Sequence, residues 1–249
     1  MPLPVVSDAD GIRRIRLDRP GELNAITRED MLAVTTAVQS LPSDLGAVVF
    51  RGTGTRAFSA GVHTAEFDNL SSGTARELIS DLGEMLCAVR RAPVPTLCSI
   101  GGYCLGGAME LAMACDLRVA ATTAVFGMPE IKVGIPSVLD AALLQQHVGL
   151  SKAKEILLTG DLYPAAELDR FGFLNAVVPP EELEGATDDM VRRVTSHSPV
   201  ATAAQKRLFE TWQNSGLRVS VEASIGEFAE VFGDPGTLDR VRAYRAPRA

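Results

Sequence analysis

The stretch GAMELAMAC, Gly107 to Cys115, reads as a short helix with apolar side chains on every side and a single glutamate among them. A helix without a polar face has to be covered all round, so it belongs between layers and not on a surface. The rest of the chain supplies those layers. GIRRIRLDRP alternates apolar and basic residues, with Ile12, Ile15 and Leu17 as the apolar set and Pro20 as the stop, and predicts a strand that is polar on one side. AVVFRGTG, VPTLCSI, LRVAA, AVFGMPE and LNAVV predict further, buried strands. Helices are predicted between them: REDMLAVTTAVQSL with Thr27 as cap and Asp30 completing a capping box, Gly73 to Ala92, SKAKEILLTG with Ser151 as cap and Gly160 as stop, and PAAELDRFG. Strands alternating with helices imply an α/β fold with largely parallel pairing. Beyond Pro179-Pro180 everything reads helical, which places a boundary near residue 185.

The 249 residues allow one large domain, or one domain plus a smaller appendage. A formal net charge of -7 argues against sequence-independent nucleic-acid binding. Four cysteines without CxxC spacing argue against a disulfide framework or a zinc site and point to a reducing compartment. The N-terminus lacks the pattern of a signal peptide, and no apolar run reaches the roughly 20 residues that cross a membrane. The expectation is a cytoplasmic protein with no membrane partner.

Gly106-Gly107 falls between a buried strand and the start of the apolar helix. Helix N-termini carry unpaired N–H groups and the positive end of the macrodipole, so the N–H of Gly107 is a natural donor to a developing negative oxygen. Glu110 follows three residues later on the same face, about 4.5 Å along the axis. A carboxylate buried there is costly, and its pKa is expected to rise. It is either paired with a cation, Arg118 being the candidate, or kept for proton chemistry. A second carboxylate tips the balance. Glu130, in FGMPEIKVG, follows a predicted buried strand, where parallel sheets hold their ligands. Taken alone Glu130 could equally be a solvated loop residue, but two carboxyls entering one crevice can divide acid and base roles.

Four segments together resemble the enoyl-CoA hydratase/isomerase (crotonase) superfamily: RPGELNAI, AFSAGVHTAEF, GGYCLGGAMELAMACDLRVA and FGMPEIKVGIP, in the family's order and spacing. The resemblance implies a crotonase-like spiral of repeated ββα units over residues 1–185. It further implies a helical region over 186–249 that builds trimers or dimers of trimers. It implies an acyl-CoA thioester substrate whose carbonyl is held by the N–H groups of Val62 and Gly107, with coenzyme A arriving as part of the substrate and no separate cofactor or metal. Glu110 would orient and deprotonate water, and Glu130 would supply a proton to the α-carbon. Relatives that only move a double bond can lose the first of these, so keeping both favours hydration. Substrate contacts are implied for Leu23, Ala25, Ala60, His63, Thr64, Gly106 and Lys206, the last near the coenzyme phosphates or else an exposed helical lysine.

Two departures stand out. The family's IPGGGGTQRL is here IPSVLDAALLQQ, Ile135 to Gln146, which implies a reshaped acyl pocket. His63 stands where an aspartate is common, either as a rim histidine bonded to backbone or as a third proton-transfer or carboxylate-binding group. Asp140 is a further candidate pocket carboxylate, or a helix N-terminal charge. The leading reading is a 2-enoyl-CoA hydratase. An isomerase, decarboxylase or CoA-thioester hydrolase of the same fold, a cysteine hydrolase built on Cys104 and His63, and a catalytically inactive CoA-binding assembly protein are the alternatives.

Overall fold

The computed structural model describes residues 2–245. The chain begins with an antiparallel hairpin of β1 (Val5–Ala9) and β2 (Ile12–Leu17), followed by helix α1 (Arg28–Gln39). Three turns of one pattern come next. The first is β3 (Ala47–Gly52), β4 (Ala57–Ser59) and α2 (Ser72–Arg90). The second is β5 (Thr96–Ile100), β6 (Tyr103–Leu105) and α3 (Gly107–Ala114). The third is β7 (Leu117–Ala121) and β8 (Val125–Gly127), followed by 3-10 turns at Pro129–Val133 and Leu139–Leu143. After these come α4 (Leu144–Val148), α5 (Leu150–Thr159), β9 (Leu162–Pro164), α6 (Ala165–Asp169) and β10 (Ala176–Val178). Four helices close the chain: α7 (Leu183–Thr195), α8 (Pro199–Asn214), α9 (Leu217–Val231) and α10 (Pro235–Arg245).

Each turn of the pattern contributes one strand to each of two sheets. The larger sheet runs β1-β2-β3-β5-β7-β10, parallel from β2 onward. The smaller runs β4-β6-β8-β9, with β4, β6 and β8 parallel and β9 antiparallel at the edge. This is the expected spiral of ββα turns. It brings the ends of β4, β6 and β8 side by side, although they lie far apart along the chain.

Local sequence explains the elements. In α1 the Thr27 hydroxyl accepts the Asp30 N–H while Asp30 accepts the Thr27 N–H at 2.8 Å, the capping box the sequence predicts. Asp30 also pairs with buried Arg19 at 2.6 Å. In α2, Leu78, Leu82, Met85, Leu86 and Val89 recur at helical spacing and are all buried. The apolar α3 is buried along its length from Ala108 to Ala114.

Some expectations need adjusting. In β2 the period of two puts Arg13 beside Ile15 and Leu17 on the buried face, neutralised by Asp8 at 2.7 Å, while Ile12 faces the opposite side. Helix α5 starts at Leu150 with Gly149 at its cap, so Ser151 lies inside the first turn. The boundary drawn at 185 falls in the first turn of α7. That helix packs Val191 against Ala47, Val49 and Leu97 of the larger sheet and so belongs to the core. The helices that stand off from the sheets begin with α8.

Candidate active site

Three chain segments leave the ends of β4, β6 and β8, and the site is where they meet. After β4 the chain runs through Ala60, Gly61 and Val62 alongside the loop of residues 20–26. The Ala60 N–H donates to Leu23 O at 2.9 Å, Ile26 N–H to Gly61 O at 2.8 Å, and His63 N–H to Ile26 O at 2.8 Å. In such a parallel bridge Val62, opposite Ile26, turns its own N–H away from the loop. Gly61 adopts φ +91°, and a Cβ there would come within 2.6 Å of Leu105 O, so only glycine lets the two strand ends approach so closely.

After β6, Gly106 takes φ +50° and starts α3. Its N–H goes to Gly127 O at 2.9 Å, and its carbonyl accepts Met109 and Glu110 N–H groups. Gly107 is the first helical residue, so its N–H has no acceptor within the helix. A Cβ built on Gly107 would lie 3.7 Å from Val62 N and 3.2 Å from Val62 Cγ2. Two backbone N–H groups thus lie side by side, both half-buried, and neither finds a hydrogen-bond acceptor among the described residues.

Glu110 is 3% exposed. Its Oε1 accepts the Ala141 N–H at 3.3 Å, the longer arm of a donor shared with Val138 O at 2.9 Å. Arg118, the cation proposed as its partner, turns elsewhere: its guanidinium donates to the carbonyls of Phe173, Ala112 and Cys115 at 2.7–3.0 Å. Burial without a cation pushes the Glu110 carboxyl up to about 8, helped by the nearby Glu130 charge and opposed by the Ala141 hydrogen bond.

Glu130 follows β8 in the turn Pro129–Val133 and is half-buried, not a solvated loop residue. Ser137 donates to its Oε1 at 2.6 Å. Its Oε2 is buried without a hydrogen-bond partner among the described residues, and a Cβ on Gly106 would come within 3.3 Å of it. The same few residues after Ile135 therefore hold both glutamates, through Ser137 Oγ and Ala141 N–H. The sequence flags this segment only as a departure; nothing in it marks Ser137 or Ala141 as contacts.

The remaining candidates divide. Leu23, Ala25, Ala60, His63 and Thr64 lie together where the 20–26 loop runs along the end of β4, and Gly106 faces Glu130. His63 Nδ1 accepts the Ala65 N–H at 3.1 Å, and Nε2 faces Glu22 Oε2 at 3.1 Å, which fits a rim histidine held by backbone. Lys206 is 6% exposed and paired with Asp116, just beyond the C-terminal end of α3 and thus at the opposite end of that helix from Gly107. Asp140 sits in the first turn of Leu139–Leu143 with its carboxylate on Arg90. Cys104 is fully buried in β6, its Sγ 3.5 Å from Ala108 O, and burial pushes its thiol far up, so a thiolate nucleophile does not form there.

The enoyl-CoA hydratase/isomerase family model matches residues 7–235. The chain belongs to that family. It is 32% identical over 220 residues to a crotonyl-CoA hydratase of Syntrophomonas wolfei, covering 87% of this chain and 83% of the relative. To a probable enoyl-CoA hydratase of Mycobacterium bovis it is 37% identical over 212 residues, covering 82% and 80%. A crystal structure of enoyl-CoA hydratase from Mycobacterium smegmatis superposes with a TM-score of 0.94 at 27% identity, covering 100% of this chain and 99% of that one. The ββα spiral is therefore the crotonase fold.

Proposed function

We propose that this family member is a 2-enoyl-CoA hydratase. The observation that carries this reading is that two unpaired backbone amides and two carboxyls converge at three neighbouring strand ends. The thioester carbonyl oxygen sits between the N–H groups of Val62 and Gly107, which take up its charge as the enolate forms. Ionised Glu110 takes a proton from a water whose oxygen bonds to the β-carbon. A carboxylate whose conjugate acid has a pKa of about 8 is a stronger base than an ordinary one and is matched to neutral pH. Glu130 hands a proton to the α-carbon. The sum is addition of one water, and a proton then passes back between the carboxyls. Val62 and Gly106 line the reacting centre, and Leu23, Ala25, Ala60 and Thr64 flank the coenzyme moiety. Lys206 is left to its ion pair.

Two relatives bear hydratase names, which supports this reading over a double-bond shift, decarboxylation or thioester hydrolysis. A panel of acyl-CoA thioesters followed by mass spectrometry separates hydration, decarboxylation and hydrolysis by mass, and absorbance of the conjugated band reports a double-bond shift, which leaves the mass unchanged. Gain of one water from crotonyl-CoA with coenzyme A still attached is the expected result; loss of carbon dioxide or free coenzyme A as the sole change would refute it.

The C-terminal helices leave Leu217 and Tyr244 81% exposed, with Ile225 and Phe228 nearly as open. Apolar side chains at that density suit a subunit interface. A homotrimer or dimer of trimers covers them, and sedimentation as a monomer at micromolar concentration would exclude it.

A further inference from the structure

The segment 137–141 concentrates unfavourable local choices. Leu139 stands at φ +48°, a left-handed backbone that side chains seldom take. It packs against α2 where Gly83 leaves room, since a Cβ on Gly83 would come within 3.3 Å of Leu139 Cδ2. Glycine inside a helix is itself unfavourable. Asp140 is 7% exposed, its carboxylate on Arg90 Nη1. Arg90, the last residue of α2, also faces Glu210 of α8 at 3.4 Å. Buried ion pairs seldom add net stability, so one kept in such a place calls for a geometric reason. The adjacent peptide supplies it: the Ala141 N–H, which closes the turn onto Val138 O at 2.9 Å, is shared with Glu110 Oε1 at 3.3 Å.

We propose that the Arg90–Asp140 ion pair is a positioning device, pinning the 139–141 backbone so that the Ala141 N–H stays on Glu110 and fixes where that carboxyl points during proton transfer. This rests on the hydratase reading above. Neither Arg90 nor Asp140 touches a reacting atom; both act through Ala141. The charged and titratable groups around Glu110 are Glu130 and Asp140 from the two 3-10 turns. Behind Asp140 stand Arg90 and Cys87 of α2, Arg91 just after that helix, and Glu210 of α8. Slackening of the Ala141 hydrogen bond favours the protonated form of Glu110.

The test uses the full chain carrying Arg90→Met or Arg90→Lys, with glutamate side-chain carboxyls labelled with carbon-13 and Glu110 assigned by its disappearance in Glu110→Gln. In Arg90→Met, kcat for crotonyl-CoA hydration is expected to fall about tenfold to a hundredfold, the scale of a misplaced reacting group. KM should stay within about twofold, because the contact matters in the transition state. The Glu110 titration midpoint should move upward with the pH–rate midpoint, and Arg90→Lys should recover most of both. A folded Arg90→Met with wild-type kcat and an unmoved midpoint would overturn the proposal. So would equal loss in both variants with the midpoint unmoved, the mark of a generally loosened core. Should Arg90→Met fail to fold, Asp140→Asn is read on the same resonance, and an unaltered signal there refutes the idea. If wild type hydrates no enoyl thioester, the hydratase reading fails while the resonance still reports whether Arg90 orders Glu110.

Discussion

Replacing Glu110 by glutamine should stabilise the protein, and increasingly so as pH rises. The carboxyl titrates near 8 in the folded chain against an ordinary value of 4.5. Below 4.5 both folded and unfolded chains hold the proton and the residue has no pH-dependent effect. Between 4.5 and 8 the unfolded chain releases it and the folded chain keeps it, so the folded state loses stability as pH rises. At about 1.4 kcal/mol per unit the penalty approaches roughly 3 kcal/mol by pH 7 and about 5 kcal/mol once pH passes 8. Glu110→Gln removes the titrating group, so its advantage over wild type should grow along the same slope. Urea unfolding at fixed protein concentration, at intervals from about pH 5 to about pH 8, measures the difference. Glu130→Gln is the internal control: without the neighbouring charge, Glu110 holds its proton less tightly, so the pH window of the slope narrows and the total difference shrinks. A difference between Glu110→Gln and wild type that does not change with pH would show that the carboxyl ionises normally, and the argument from burial would be wrong.

The same titration sets the activity profile: kcat should rise as pH climbs through about 8 and Glu110 ionises, and a profile flat from pH 6 to 9 would refute Glu110 as the base. Glu130→Gln should bind acyl-CoA with unchanged affinity but lose most turnover, since an amide cannot deliver the proton; isothermal titration and crotonyl-CoA absorbance read the two separately. Gly107→Pro removes one N–H at the first helical position, where its ring also presses on Val62 Cγ2, so kcat should fall by about a hundredfold to a thousandfold in a chain with native circular dichroism. His63→Ala should cost about 1 kcal/mol through the lost Ala65 cap and leave the pH midpoint of kcat in place; a displaced midpoint would restore its proton-transfer role.

What the sequence makes legible here depends on how local the signal is. The Thr27–Asp30 capping box, the Gly160 helix stop and the all-apolar α3 are written within a few residues and stand in the structure as read. Glu110 and Glu130 announce themselves because each is a charge in an apolar context beside a strand end. Strands β4 and β6, three residues each, are too short for periodicity, and β1 is exposed along its whole length, so it has no hydrophobic alternation to show. Arg90 is fifty residues from Asp140 and closes a helix of ordinary composition. No spacing rule connects them; only the packing of α2 over the 139–143 turn does. Lys206 shows the converse, a lysine whose motif position suggests a ligand and whose side chain is taken up by Asp116.

The energetic character of the site argues for the ligand it fits. Two backbone donors and the buried Glu130 Oε2 lack partners among the described residues, and a buried polar group left unpaired costs about 1–3 kcal/mol. Glu110 adds its own cost by burial. A chain selected for stability alone would quench these groups with a side chain, yet Gly61 and Gly106 put none beside the Gly107 N–H or Glu130 Oε2. A matching guest has to bring an acceptor that takes two hydrogen bonds at the amides and, a few ångströms away, a donor directed at the carboxyls. A conjugated thioester with a water beside its β-carbon offers them apart, and the interaction with the amides strengthens as charge moves onto the oxygen, which is the direction hydration requires.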